Sequence, residues 1–163
     1  MTKMKLPLRF NPLIILLTTL TILFSSCEKE DPDAIAERDR EKLEEYIKEN
    51  GLEDVAIAHE SGLFYVVENP GTGVHPTVNS TIRIRYTGKL LDGKVFDESS
   101  GALLQLGGTI MGWQIGIPLF KTGGKGKLLI PSALGYGAYP PYGGTIPRHA
   151  CLIFDFEIMD VAN

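Results

Sequence analysis

Hydrophobic and polar positions fall into three successive patterns along the chain. Residues 13–24 form an apolar run interrupted only by threonines. Between residues 32 and 50 apolar positions are sparse, while Glu and Lys/Arg recur three and four residues apart, the spacing of ion pairs along a helix face. Asp31 is placed to cap that helix, Pro32 suits its first turn and Asn50-Gly51 stops it. The apolar stripe of Ile35, Leu43, Tyr46, Ile47 and Leu52 is narrow for a core position. The segment therefore reads as a mostly solvated spacer, able to dock or dimerise through one side.

Beyond Ala56 the period changes to two. Ile82, Ile84 and Tyr86 alternate with Arg83, Arg85 and Thr87, and Leu152, Phe154, Phe156 and Ile158 alternate with Asp155 and Glu157. This alternation marks strands with one buried face, and it predicts a charged outer face where Arg83, Arg85, Lys125 and Lys127 lie near Asp155 and Glu157. Strands are expected at 63–68, 81–90, 94–97, 103–106, 125–130 and 151–159, with turn signals such as Asn69-Pro70-Gly71, Asp92-Gly93 and Gly123-Gly124 between them. Within this region only 113–121 can hold a helix, kept short by Gly116 and Pro118. The expected class is α+β, mostly antiparallel sheet around one short helix.

Charge sharpens the division. Residues 28–55 hold 12 acids and 5 bases, whereas 56–163 hold 8 of each. A neutral domain behind an acidic tail lacks the basic surface that nucleic acid requires, which excludes that partner. The first 26 residues carry Lys3, Lys5 and Arg9 and no acid. Their apolar run falls short of the roughly twenty residues of a membrane-spanning helix, so they read as a cleavable export signal.

Phe24-Ser25-Ser26-Cys27 resembles the lipobox at which bacterial lipoproteins are acylated on Cys and then cut. The acidic cluster at 28–33 reads either as a solvated linker or as a signal similar to those of surface-exposed Bacteroidetes lipoproteins. The expected organisation is a lipoprotein signal peptide over 1–26, an acidic linker and helix over 27–55, and a domain over 56–163. Lipidation of Cys27 implies a cell-envelope protein attached to the membrane by its lipid anchor, with the outer membrane as the expected site and surface exposure open. It also leaves Cys151 without an intrachain disulfide partner.

Several chemistries drop out on spacing. His59, His75 and His149 lack companions at metal-ligand distances along the chain. The run 123–127 departs from a phosphate loop, because Lys121 stands where its first Gly belongs and Leu128 follows where Ser or Thr would hold magnesium. No Gly-x-Ser-x-Gly elbow is present, and Cys151 lies inside a strand-like run. No metal and no cofactor are expected.

What remains is a set of aromatics at non-repeating positions: Tyr86, Phe96, Trp113, Tyr136, Tyr139, Tyr142, Phe154 and Phe156, with Asp97 beside Phe96. The strings Arg85-Tyr86-Thr87-Gly88, Leu91-Asp92-Gly93-Lys94-Val95-Phe96-Asp97, Ile110-Met111-Gly112-Trp113, Gly135-Tyr136-Gly137 and Ile146-Pro147-Arg148-His149 leading to Phe154-Asp155 resemble, in order and spacing, the FKBP-type peptidyl-prolyl cis-trans isomerases. The resemblance covers roughly residues 60–160. It implies an FKBP-like antiparallel sheet of five to six strands wrapped around one short α-helix, with a proline-binding pocket between them. Carried over by position, Trp113 is the pocket floor, Tyr86, Phe96 and Phe154 its walls, Ile110 a backbone N–H donor, Tyr136 a hydroxyl donor, Asp97 a polar edge, and Ile146 a residue flanking the mouth. Ala102 stands where the family usually has a larger wall residue, and the loop 138–144 departs from the usual pattern.

The resemblance implies isomerisation of X-Pro bonds in exported proteins, with proline-containing polypeptides as partners and the family's macrolides as further ligands. A non-catalytic peptide-binding or chaperone module of the envelope is the alternative, and the oligomeric state stays open. The chemistry is consistent with a site that holds no cofactor. Rotation about a peptide bond costs about 18–20 kcal/mol through lost amide resonance, and no bond is broken. A water-excluding aromatic pocket that favours the twisted amide over the planar one is sufficient in kind.

Overall fold

The computed structural model describes residues 31–162. The segment expected to be an export signal, Cys27 and the first half of the acidic cluster lie outside the described residues. Helix α1 spans Pro32–Glu49, with Pro32 in its first turn and the Asp31 side chain accepting from the Asp33 N–H at 3.1 Å. Asn50 and Gly51 end it, Gly51 at a φ of 63°. Six strands follow among the described residues: β1 (Ala56–Ala58), β2 (Phe64–Asn69), β3 (Thr81–Leu90), β4 (Val95–Gln105), β5 (Lys125–Ile130) and β6 (Leu152–Ala162). They pair antiparallel in the order β1-β2-β5-β6-β3-β4.

The β3–β4 hairpin turns where Asp92-Gly93 predicts it: the Asp92 carboxylate accepts from the Lys94 N–H at 2.9 Å, and Gly93 takes a φ of 82°. The two strands expected at 94–97 and 103–106 are one, because β4 continues through a bulge instead of breaking. Ser100 and Gly101 absorb the extra residue there. The short strand β1 has too few residues to show a period.

Helix α2 (Met111–Gly116) and the 3-10 turn Ile117–Leu119 cross one sheet face. Helix and sheet approach closely because the facing residues are glycines. A Cβ at Gly112 would lie 2.5 Å from Ile130, and one at Gly116 would lie 2.6 Å from Leu128. The core on this face gathers Ile82, Ile84, Trp113, Ile117, Phe120, Leu128, Ile130, Leu152, Phe154, Phe156 and Ile158.

The opposite face departs from the expectation of a uniformly charged surface. Its upper part carries two pairs of the predicted kind, Arg85–Glu157 at 3.0 Å and Lys127 with Asp155, and a further one outside the expected set, Lys89–Asp155 at 2.9 Å. Lys125 pairs with Glu68 instead, at 2.9 Å. Burial opposes ionisation of Asp155, but the Lys127 and Lys89 ammoniums outweigh it and hold the carboxyl below its ordinary range. The lower part is apolar, where Val66, Leu129, Cys151 and Ile153 form a second cluster.

Helix α1 covers that cluster. Leu43 and Ile47 are buried in it, with Tyr46 packed alongside. The helix is thus a packed layer of the domain and not a solvated spacer, and residues 31–162 belong to one compact unit. The narrow stripe suffices because the surface it meets is narrow too, limited by the charged pairs above it.

Candidate active site

Between the β3–β4 end of the sheet and α2 lies an open cavity of about 390 Å3 lined by Tyr86, Asp97, Leu104, Gly108, Thr109, Ile110, Trp113, Tyr136 and Phe154. Each residue arrives by a separate route. Tyr86 and Phe154 occupy inward positions of β3 and β6, two residues apart in the pairing register. Trp113 lies in the first turn of α2, and Ile110 caps that helix, its carbonyl accepting from the Trp113 N–H at 3.0 Å and the Gln114 N–H at 3.2 Å. The Gln114 side chain donates to the Thr109 carbonyl at 2.8 Å and so fixes the loop before the helix.

The rings form an edge-to-face cluster. Trp113 stands 5.1 Å from Tyr86 at 88° and 5.1 Å from Phe154 at 82°. Such geometry sets the positive edge of one ring against the negative face of the next. Trp113 is only 3% exposed. Its buried indole N–H has no acceptor among the described residues.

The polar edge is equally defined. The Tyr86 hydroxyl donates to the Asp97 carboxylate at 2.7 Å, so Asp97 orients a wall side chain. Burial, and then the Asp97 bond, push the Tyr86 hydroxyl up to about 12. Tyr136 is raised as well, by burial first and the Asp97 charge second. Both hydroxyls are protonated donors at neutral pH.

Of the residues expected here, Tyr86, Asp97, Ile110, Trp113, Tyr136 and Phe154 meet around this one cavity. Phe96 lies behind the wall, stacked edge-on against Phe154 at 5.5 Å. Gly88 makes room for both, since a Cβ there would lie 2.8 Å from each ring. Ile146 packs against the core without lining the cavity. Ala102 does not line it either: the β4 bulge pairs Ala102 with the buried Ile84, and Leu104 supplies the aliphatic wall. Leu104, Gly108 and Thr109 are additions to the expected set. Leu104 shares the face of Ala102 two residues on, a signal the alternation does contain, whereas the two loop residues carry none.

A larger groove of about 530 Å3 runs between α1, the turn at 58–64 and residues 131–134. It is lined by acids such as Asp33, Glu37, Glu44 and Glu60 and contains no aromatic cluster of the kind built around Trp113. Size alone does not mark the site, and convergence of rings with oriented donors favours the smaller cavity.

Known proteins resemble this chain over the region that contains the cavity. The family model for FKBP-type peptidyl-prolyl cis-trans isomerase matches residues 73–159, which hold every cavity-lining residue. The FKBP-type peptidyl-prolyl cis-trans isomerase FkpA of Aeromonas hydrophila is 38% identical over 137 residues, covering 82% of this chain and 50% of that protein. The FKBP-type 22 kDa peptidyl-prolyl cis-trans isomerase of Escherichia coli is 37% identical over 120 residues, covering 71% of this chain and 58% of its own. The chain thus spans about half the length of the curated relatives it matches.

Among solved structures, a peptidyl-prolyl cis-trans isomerase from Pseudomonas syringae superposes with a TM-score of 0.71 at 28% identity, covering 82% of this chain and 97% of that one. FkpA from Escherichia coli superposes with a TM-score of 0.68 at 36% identity, covering 79% of this chain and 62% of that one. A six-stranded antiparallel sheet over a short helix, with a tryptophan-floored cavity at their junction, is accompanied by sequence identity along most of the chain, and this protein belongs to the FKBP-type peptidyl-prolyl cis-trans isomerase family.

Proposed function

We propose that the protein catalyses cis–trans isomerisation of X-Pro bonds in polypeptide chains, in the cavity floored by Trp113. The observation that carries this reading is the convergence of Tyr86, Trp113 and Phe154 rings with the Asp97-bound Tyr86 hydroxyl and the Tyr136 hydroxyl. A proline ring seated against Trp113 loses its water. The twisted amide, having lost resonance and much of its dipole, is favoured in that environment over the planar one. The Tyr136 hydroxyl and the Ile110 N–H hold substrate carbonyls, and Asp97 acts by keeping Tyr86 in place.

A protease-coupled assay on a panel of X-Pro peptides tests this reading, with catalysis by the folded protein as the expected result. Peptide binding without turnover on every member of the panel replaces it with a binding module. A family macrolide is expected to compete for the same cavity.

The reading extends to an exported, lipid-anchored protein acting on exported clients, supported by the short apolar run and the lipobox-like Phe24-Ser25-Ser26-Cys27. Mass spectrometry of the cell-envelope protein should show acylated Cys27 at its N-terminus, and Cys27→Ala should leave the precursor uncut. An intact, unmodified leader in the wild type overturns the anchor.

A further inference from the structure

The buried stripe of α1 contains a charge. Asp39, Leu43 and Ile47 recur every four residues along one helix face, and Asp39 is 0% exposed. Two apolar residues at such positions add to stability, but a buried carboxylate usually adds less than a well-packed apolar side chain of its size. Its position therefore needs a reason in what it holds.

Asp39 Oδ2 accepts from the Ser132 backbone N–H at 2.9 Å. Arg38 approaches Oδ1 at 3.3 Å from the solvent side, and the Cys151 thiol lies 3.8 Å from the Asp39 carbonyl. Ser132 opens the 3-10 turn Ser132–Leu134, which has no side-chain cap of its own. Asp39 thus performs, from a separate helix, the service that a capping side chain performs locally.

The other side of the Ser132 residue reaches the active site. Its carbonyl accepts from the Gly135 N–H at 3.0 Å and from the Gly137 N–H at 2.9 Å. These are the two neighbours of Tyr136. The Gly137 carbonyl in turn accepts from the His149 N–H at 2.8 Å, which closes the loop. An unbroken chain of hydrogen bonds runs from the α1 carboxylate through one residue to both flanks of the cavity's hydroxyl donor.

We propose that Asp39 is a positioning residue of the active site, setting the Tyr136 hydroxyl through the Ser132 backbone, so that α1 forms part of the isomerase site and not only of the fold. This rests on the isomerase reading above for its kinetic consequence, while the positional claim stands on the geometry.

The test is a double-mutant cycle in the full chain with Asp39→Asn and Tyr136→Phe, reading kcat/KM on an Ala-Leu-Pro-Phe peptide together with the thermal midpoint. Asp39→Asn keeps shape and one acceptor oxygen. It should lower kcat/KM by about three- to tenfold beside native Tyr136, and by less than about twofold once the hydroxyl is gone, because coupled residues are not additive. An equal factor in both backgrounds, or an unchanged kcat/KM in a folded Asp39→Asn protein, overturns the proposal.

If Asp39→Asn does not fold, amide exchange in the wild type decides. The Ser132, Gly135 and Gly137 amides should open together with those of α1, and exchange of the turn independent of the helix overturns the coupling. If the wild type has no turnover, the isomerase reading fails, and the same cycle read as peptide affinity by NMR titration still judges Asp39 separately.

Discussion

One face of the sheet packs aromatic rings beneath α2, and the other packs chiefly aliphatic side chains beneath α1. Leu43, Leu129 and Ile153 are fully buried there, each 0% exposed. The rings meet edge to face around an open cavity, and two tyrosines bring polar tips to its edge. Flexible aliphatic side chains close a gap, whereas rigid rings crossed at right angles leave a hollow of fixed shape. The same sheet therefore supports a packed aliphatic layer on one side and an aromatic binding cavity on the other.

Breaking the aliphatic side should cost stability most. Leu43→Ala removes a fully buried side chain and should destabilise the whole protein by about 2–5 kcal/mol in urea unfolding, with one cooperative transition. A negligible loss would mean that α1 is a spacer after all. On the aromatic side, Gly88→Ala places a Cβ 2.8 Å from the Phe96 and Phe154 rings. Overpacking of this kind should cost about 1–3 kcal/mol and lower peptide affinity by tilting the Phe154 wall, as calorimetry would show.

Smaller substitutions sharpen the comparison. Tyr136→Phe and Asp97→Asn should leave the melting temperature nearly unchanged. The first should reduce turnover by about tenfold or less, the loss of one hydrogen bond of about 0.5–1.5 kcal/mol, and the second, which keeps an acceptor for the Tyr86 hydroxyl and removes only the charge, should reduce it by less. The raised tyrosines also set a pH limit. A hydroxyl whose folded value exceeds its ordinary value of 10.0 contributes stability that is complete below that value and is lost as pH rises toward about 12. Turnover should therefore stay level from neutrality to about pH 9, with alkaline unfolding beginning above about 10. Least of all, reversing the exposed Arg85 opposite Glu157 should cost at most about 1 kcal/mol and spare activity.

The aromatic side was the more legible in the sequence. Period-two alternation places Tyr86 and Phe154 inward, the Asp92-Gly93 turn fixes the β3–β4 hairpin that carries Tyr86 and Asp97, and the family resemblance adds Trp113, Ile110 and Tyr136. The aliphatic side was hidden by the same alternation. Leu129 and Ile153 sit between residues that are themselves buried, so the runs at 128–130 and 151–154 show no period, and their outward members look like more of the inner core. Asp39 was hidden for a related reason: amid twelve acids, one carboxylate facing inward has no mark of its own. The β4 bulge moved the wall from Ala102 to Leu104, because a one-residue insertion in a ladder is set by tertiary pairing and not by local pattern.

The most direct test of the central claim is NMR exchange spectroscopy of an Ala-Leu-Pro-Phe peptide with a small fraction of isotope-labelled protein. The account predicts cis–trans exchange peaks that are absent from the peptide alone, with amide shifts centred on Ile110, Trp113 and Tyr136. Peptide binding without exchange peaks, or shifts centred on the acidic groove between α1 and residues 58–64, would contradict it.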